Sequence, residues 1–125
     1  MIEGFHHTQL ACPARSEEAL RAFYVDVLQM VEIVKPPALA ARGGAWFRGG
    51  TAELHLGVEE PFTPARKAHP GLVVRDLDAL VARLAAAGAP VEADANFPGF
   101  RRVYTADPVG NRVELLEPSD QSNGL

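Results

Sequence analysis

The chain has 125 residues, of which 47% are hydrophobic and 22% are charged, as is usual for a soluble globular protein with its own core. Its 12 basic and 16 acidic residues give a net charge of −4, which argues against nucleic acid as a partner because a phosphate backbone requires a basic surface. The short apolar stretches, the absence of a signal-peptide pattern and the single cysteine argue against a membrane protein or a disulfide scaffold and predict a cytoplasmic protein.

The first half of the chain predicts a strand, a helix and three further strands. Pro13 ends the first strand, and Ser16 is the expected N-cap of a helix with one apolar stripe. Residues 36–44 are rich in Pro, Ala and Gly, which is typical of a loop, and Gly49-Gly50 predicts a hairpin turn. The expected strands cover residues 5–12, 31–34, 44–47 and 51–58, and the stripe comprises Leu20, Phe23, Tyr24, Val27 and Leu28.

The second half of the chain repeats this order after a charged, proline-containing linker. Asp76 is the expected N-cap of the second helix, and Gly88 with Pro90 is expected to end it. Neither half could bury both its helix and its sheet face alone, so the two β-α-β-β-β halves, or those of two chains, are expected to pack together. The expected strands cover residues 68–74, 91–93, 101–106 and 111–117, and the stripe comprises Leu77, Leu80, Val81 and Leu84.

Three histidines and one glutamate occupy matching places in the two halves. His7 and His69 each open an apolar run, while His55 and Glu114 each lie in a late strand. The spacings are similar, because 48 positions separate the first pair and 45 the second. Three imidazoles and a carboxylate suit a divalent transition-metal ion, so the pattern predicts one potential ligand early and one late in each half.

The order of elements resembles that of the vicinal-oxygen-chelate superfamily, which includes glyoxalase I, fosfomycin-resistance thiol transferases, bleomycin-resistance proteins and extradiol dioxygenases. The resemblance rests on HHTQLACP with ALRAFYVDVLQM, on HPGLVVRDLDALVARLAAAG and on DPVGNRVELLEP. It implies an α+β fold in which two βαβββ modules form one domain, as in the glyoxalase/bleomycin-resistance fold. The expected boundaries are residues 1–125 for the domain, about 4–58 for module one, about 59–67 for the linker and about 68–118 for module two.

The resemblance also implies a ligand set for a divalent ion. His7, His69 and Glu114 match the family's metal-ligand positions, and the sequence does not distinguish zinc, nickel, manganese, cobalt and iron. His55 falls where glyoxalase I has a glutamate and where fosfomycin-type members have no ligand. A fourth ligand, a catalytic base and a pocket wall therefore remain open for His55, and Glu114 is the other candidate base.

Strand alternation places further side chains beside the candidate ligands, either as pocket residues or as an ordinary polar sheet face. The resemblance turns Arg102 and Tyr104 toward the cavity, where Arg102 is expected to bind an anionic group of the substrate. Trp46 is expected to form an apolar wall, with core packing as the alternative. The alternation pairs Gln9 with His7, Glu53 with His55 and Arg112 with Glu114, and it turns His6 to the opposite face.

The function that these residues favour is that of a metal-dependent, glyoxalase-like lyase or isomerase. Its substrate would be a small oxygen-rich molecule chelated to the ion. The first alternative is a binding protein that sequesters a toxic small molecule without chemistry, and the second is an extradiol-type dioxygenase. The resemblance further implies a homodimer, in which His7 of one chain could meet His69 and Glu114 of the other.

Overall fold

The structure is a computed structural model that describes residues 1–119, and its contacts divide it into two units, Met1–Pro64 and a second unit that begins at Ala65. Each unit contains one mixed four-stranded sheet and a helix between its first and second strands. The predicted α+β class with two β-α-β-β-β modules is therefore confirmed. No helix in the described part of the chain is long and apolar enough to cross a lipid bilayer.

The first unit comprises β1 (Thr8–Cys12), α1 (Glu17–Arg21), a π-helical segment (Ala22–Val27), β2 (Val31–Ile33), α2 (Pro37–Ala40), β3 (Ala45–Gly49) and β4 (Ala52–Val58). Its sheet has the order β1-β4-β3-β2. β1 runs parallel to β4, and the other neighbouring strands are antiparallel. This order puts β4 between the strand that follows the N-terminal histidines and the strand that carries Trp46.

The sheet of the first unit has an apolar face and a polar face, as alternation along β3 and β4 requires. Phe47 and Leu54 are buried on the apolar face, where the ring of Tyr24 stacks on Phe47 with 5.1 Å between ring centres. Trp46 and His55 alternate with these residues and so belong to the opposite face. The helical segment thus covers one face and leaves the other for polar side chains.

The first helix begins at Glu17, immediately after Ser16, but the Ser16 hydroxyl does not cap it. That hydroxyl donates instead to the carbonyl of Pro13 at 2.7 Å. The second part of the helix is π-helical because one extra residue is accommodated per turn, and the amide of Leu28 accordingly donates to the carbonyl of Phe23. Leu20, Phe23 and Tyr24 of the predicted stripe are buried despite this change of pitch.

The second unit comprises β5 (Gly71–Val73), α3 (Leu77–Ala86), β6 (Glu92–Asp94), β7 (Phe100–Ala106) and β8 (Arg112–Pro118), and its sheet has the order β5-β8-β7-β6. Leu77 and Leu84 of α3 are buried with Val103, Val113 and Leu115 of the sheet. The predicted N-cap is present, since the Asp76 carboxylate accepts from the amide of Ala79 at 3.2 Å. Gly88, at φ +76°, lies just past the helix end.

A side-chain clasp closes the turn between β7 and β8. The buried carboxylate of Asp107 accepts from the backbone amides of Val109 and Asn111, at 3.1 and 2.8 Å. It also accepts from the side-chain amide of Asn111 at 3.0 Å. This clasp fixes where β8 begins, and therefore which residues of β8 face the same side as Glu114.

The structure differs from the sequence-based expectation at the first strand of each unit and in one loop. β1 begins at Thr8 and β5 at Gly71, so His7 and His69 lie just ahead of their strands rather than in them. Residues 36–44 include the short helix α2, whose proline at the first turn is tolerated because its missing amide has no intrahelical partner there.

Candidate functional site

The four residues singled out by their spacing occupy equivalent places in the two units. Gln9 is opposite His55 in the β1–β4 pair, and Gly71 is opposite Glu114 in the β5–β8 pair. His7 and His69 each precede these paired positions by two residues. Each unit therefore brings one residue from before its first strand close to one residue of its last strand.

In the first unit, the ring of His55 on β4 is held between the rings of Trp46 on β3 and of His7, which lies just ahead of β1. It lies parallel to the ring of Trp46, at 3.8 Å between centres and an angle of 2°. It also stacks on the ring of His7, at 4.0 Å and 13°. Only 4% of His55 is exposed, so its ring has little freedom to turn.

Glu53 fixes the tautomer of His55. Nε2 of His55 lies 2.7 Å from Oε2 of Glu53, and Arg48 donates to Oε1 of the same carboxylate at 2.9 Å. The hydrogen bonds from His55 and Arg48 lower the pKa of Glu53 to about 2. Because an ionised carboxylate only accepts, Nε2 of His55 carries the hydrogen and Nδ1 carries the lone pair.

His55 is the neutral imidazole at neutral pH. Burial lowers its pKa, and the hydrogen bond to Glu53, which acts in the opposite direction, does not compensate for that burial. His55 therefore presents a lone pair rather than a positive charge, which is what either a metal ligand or a general base requires.

The second unit holds the other candidate pair. Nε2 of His69 lies 2.7 Å from Oε1 of Glu114, and Nδ1 of His69 lies 2.7 Å from the carbonyl oxygen of Lys67. Arg102 donates to the second oxygen of Glu114 at 3.0 Å. Burial alone would raise the pKa of Glu114, but the hydrogen bonds from His69 and Arg102 outweigh it and lower that pKa, so Glu114 is ionised.

The hydrogen-bond partners of His69 leave a place for a cation. A carbonyl oxygen can only accept, so Nδ1 of His69 must donate to Lys67. Nε2 of the neutral ring is then a lone pair that faces a carboxylate oxygen. Two acceptors at 2.7 Å require a positive centre, either a second proton on the ring or a metal ion bound by both.

Arg102 and Tyr104 lie on the same face of β7 and flank Glu114. Tyr104 is directly opposite Glu114 in the β7–β8 pair. Arg102 also pairs with Asp94 of β6 at 3.1 Å, so its guanidinium is bound by two carboxylates. The guanidinium of Arg112 lies 3.9 Å from the centre of the Tyr104 ring. Arg102, which the sequence predicts to bind a substrate anion, forms ion pairs with Asp94 and Glu114 in this structure, and its role toward a substrate stays a prediction.

A cleft of about 500 Å³ opens on the polar side of the first unit. Its walls include His7, Gln9, Trp46 and His55. The volume falls in the range of roughly 300–1,000 Å³ that small-molecule sites occupy. His6 also lines the cleft rather than facing away from His7, and the two Nδ1 atoms are 3.0 Å apart. The alternation rule fails for His6 because β1 starts only at Thr8.

Several residues of these clusters were not singled out from the sequence. Arg48 holds Glu53, and Asp94 holds Arg102, each across a strand pair whose register the sequence does not state. Lys35 and Arg42 line the cleft from the segment between β2 and β3. The signal that could have found this pair is the presence of two basic residues in a loop that has no acidic residue.

Each unit, taken by itself, presents a pair of candidate ligands. No cluster of three or more His, Cys, Asp or Glu side chains within residues 1–119 is arranged to hold a metal ion. The two units instead present one pair each, a stacked His7–His55 pair and a hydrogen-bonded His69–Glu114 pair.

Comparison with known proteins places this arrangement among related sequences and structures. Residues 9–116 match the family model described as a glyoxalase-like domain. A Bacillus anthracis protein assigned to the glyoxalase family is 43% identical over 95% of this chain and 98% of its own, with a TM-score of 0.91. No curated protein matches the sequence significantly.

Two further crystal structures are similar to this chain and differ from each other in function. TnmS3, an antibiotic binding protein from Streptomyces sp. CB03234, is 26% identical over 95% of this chain and 100% of its own, with a TM-score of 0.71. The lactoylglutathione lyase of Agrobacterium tumefaciens is 28% identical over 88% of this chain and 91% of its own, with a TM-score of 0.62. Similar proteins thus include both an enzyme and a binding protein.

Proposed function

Because this chain belongs to the glyoxalase-like domain family, within the vicinal-oxygen-chelate superfamily, we propose that it is a metal-dependent lyase or isomerase of the glyoxalase type. Its substrate would be a small molecule with adjacent oxygens. The proposed ligands of the divalent ion are His7, His69 and Glu114. Enzyme and binding protein both occur among similar structures, so the choice between them rests on the side chains of this chain.

The observation that carries the proposal is the His69–Glu114 pair. Because Nδ1 of His69 donates to the Lys67 carbonyl, the 2.7 Å contact between Nε2 and Oε1 of Glu114 calls for a positive centre, either a second ring proton or a metal ion. Nε2 of His69 and the Glu114 carboxylate would hold a divalent ion, and the carbonyl behind Nδ1 is the kind of partner that orients metal-binding imidazoles. A bound ion would act as a Lewis acid on the adjacent oxygens of a substrate.

The side chains themselves support separate roles for Glu114 and His55. The lowered pKa of Glu114 makes its carboxylate a weak base but a suitable anionic ligand. His55 lines the cleft as a neutral imidazole, and Glu53 holds its Nε2–H so that Nδ1 is the basic atom. We therefore assign proton abstraction to His55 and ligation to Glu114.

Metal retention by the purified, tag-free protein tests the ligand assignment. Glu114→Gln keeps the volume of the side chain and removes its charge, so we expect its metal content to fall well below that of the unaltered protein. The matched control is Glu18→Gln, which changes an exposed carboxylate on α1. Equal metal content in both variants and the parent, by elemental analysis, would remove the basis of the proposal.

A second candidate is a binding protein that sequesters a small molecule without turnover. The similarity to an antibiotic binding protein supports it, and so does the closed ring stack around His55. The two functions separate when candidate dicarbonyl adducts are offered to protein with and without a divalent ion. Turnover that requires the ion supports the enzyme, whereas saturable binding with no turnover and no metal dependence supports the binding protein.

A further inference from the structure

We propose that Lys35 and Arg42 form an anion-binding subsite in the cleft of the first unit. The subsite would take the carboxylate or phosphonate end of a small molecule, whose apolar part contacts Leu39 and Val58 of the same cleft. The inference rests on the proposed function in one respect, because it takes this cleft as the substrate site and assigns a negative charge to the molecule that binds there.

The charge of the cleft is opposite to that of the whole protein. Lys35 and Arg42 line it together with three histidines, and among the described residues no aspartate or glutamate does so. The complete chain carries a net charge of −4. Two cations on the wall of one cleft in an acidic protein attract anions to that place. The nearby carboxylate of Glu17, whose pKa is lowered by the hydrogen bond from Gly44 and in smaller part by the charge of Lys35, offsets only part of this positive charge.

The charges of Lys35 and Arg42 are not held in ion pairs, which is true of some cations of the fold but not of all. The ammonium of Lys35 donates to the carbonyl of Gly43, which is neutral, and two of its hydrogens remain for a ligand. Within the described part of the chain, neither residue forms an ion pair. By contrast, a carboxylate pairs with each of Arg21, Arg48, Arg101 and Arg102.

The segment that carries the two cations is anchored to the rest of the first unit. The backbone amide of Gly44 donates to the carboxylate of Glu17 at 2.7 Å. Gly44 has φ +81°, and a Cβ at this position would lie 2.0 Å from the carbonyl oxygen of Leu56. The segment therefore passes so close to β4 that only glycine fits at position 44, and this contact fixes the backbone next to Arg42 before any ligand binds.

A second glycine keeps a hydrogen-bond donor within the cleft. Gly57 follows His55 by two residues and so shares its face of β4. A Cβ on Gly57 would meet the side-chain nitrogen of Gln9 at 2.4 Å. The absence of that Cβ leaves room for the Gln9 amide, which directs one hydrogen at the carbonyl of Leu10 and keeps the other as a neutral donor beside the two cations.

The single tryptophan of the chain makes the proposal directly measurable. Trp46 lines the cleft, so the intrinsic tryptophan fluorescence of the protein reports on this place alone. The metal-free protein is titrated with phenylphosphonate and with benzoate, and in parallel with neutral benzamide. We expect a saturable fluorescence change with both anions and binding at least about 10-fold weaker for benzamide, because a charge-assisted contact is lost.

Three variants distinguish anion binding at this subsite from a general effect of the net charge of the protein. Lys35→Gln and Arg42→Gln should each weaken phenylphosphonate binding by about 10-fold, the effect of removing one charge-assisted hydrogen bond. Arg66→Gln changes the net charge equally at an exposed residue that does not line the cleft, and should leave binding within about 2-fold. Circular dichroism and urea midpoints establish that each variant is folded.

The proposal is overturned if neither anion gives a saturable change, if benzamide binds as tightly as benzoate, or if Arg66→Gln weakens binding as much as Lys35→Gln does. Because the titration uses metal-free protein, it does not depend on the metal ligands. Loss of anion binding with normal metal retention would refute the subsite alone. Anion binding without any metal retention would refute the metal assignment and leave the subsite standing.

Discussion

The sequence allows His55 to be a metal ligand, a catalytic base or a pocket wall, and the side chains around its ring favour one of these roles. Its stacking partners, Trp46 and His7, hold the plane of the ring, and Glu53 holds the hydrogen on Nε2. Replacing a metal ligand would lower the metal content, and replacing a catalytic base would lower turnover. Replacing a pocket-wall residue would change neither quantity much. Replacement of His55 therefore distinguishes these roles.

We expect His55→Ala to retain its metal and to lose turnover by about 10²-fold or more, as removal of a general base does. The measurement is metal content beside the steady-state rate of the same preparation. Trp46→Phe serves as the control, because it preserves an aromatic ring against His55 while leaving Nδ1 in place. A parallel loss of metal and turnover in His55→Ala would make His55 a ligand instead.

Arg102 and Arg101 are neighbours in the sequence but differ in what their charges stabilise. Arg102 binds the buried carboxylate of Glu114, whereas Arg101 pairs with Asp78, whose side chain is 77% exposed. We expect Arg102→Ala to lower the free energy of unfolding more than Arg101→Ala, because only the former leaves a buried carboxylate short of a donor. Urea denaturation of both variants is the measurement, and equal midpoints would contradict the expectation.

The sequence could predict which residues of the site lie together only within a single strand, where side chains alternate between the two faces. Alternation groups Glu53 with His55, and Arg102 with Tyr104, because these pairs lie two residues apart on one strand. It cannot provide partners on other strands, since the Arg102–Asp94 contact depends on the register of β6 and β7. It also fails for His6, because the expected strand over residues 5–12 begins only at Thr8 in the structure.

At the scale of elements, the segment between β2 and β3 depends on one carboxylate of α1. The hydrogen bond from the Gly44 amide lowers the pKa of Glu17, so folding favours the ionised carboxylate. This contribution to stability is fully present above the ordinary pKa of a glutamate and is lost as the pH falls through the lowered value.

We therefore expect Glu17→Gln to remove part of the loss of stability on acidification, since its amide oxygen still accepts from Gly44 but does not titrate. Glu17→Ala leaves the Gly44 amide without this acceptor and should cost about 1–3 kcal/mol of unfolding free energy at neutral pH. Glu18→Gln, on the exposed side of the same helix, is the control for both. Urea titrations at pH 7 and pH 4 would reveal an unchanged acid dependence if the assignment is wrong.

Most elements could be predicted from the sequence because periodicity and caps determine them locally. The helix after Asp76 and its end at Gly88 agree with the structure. The π-helical pitch at Ala22–Val27 could not be predicted, because its extra residue leaves the apolar stripe almost unchanged. The short helix α2 also could not, since a proline at the start of a segment is compatible with either a loop or a first helical turn.

At the scale of the whole molecule, several large apolar side chains are left uncovered. Phe5 and Ile2 near the N-terminus are 99% and 96% exposed, and Val34 after β2 is 95% exposed. Side chains of this kind stabilise an interface when buried, by roughly 1.5–3 kcal/mol each. They give a physical reason for the homodimer that the family resemblance implies, which remains a proposal.

We expect the protein to elute as a dimer at micromolar concentration, with a light-scattering mass of twice 13.4 kDa. Phe5→Ser together with Ile2→Ser should shift the equilibrium toward the monomer, while Val91→Ser, at a residue that is only 37% exposed, should not. A mass near 13.4 kDa for the unaltered chain across this concentration range would exclude the dimer.

The Asp107 clasp has a consequence for the order in which the chain folds. It closes a turn of a few residues, and short hairpins form on a timescale of about 1–10 μs, long before contacts between distant segments. The hairpin so started carries Arg102, Tyr104 and Glu114. We expect Asp107→Ala to slow refolding in proportion to its loss of stability, with a φ-value near one, while Leu20→Ala mainly accelerates unfolding. Stopped-flow measurements would then show that β7 and β8 acquire their native pairing before the first unit does.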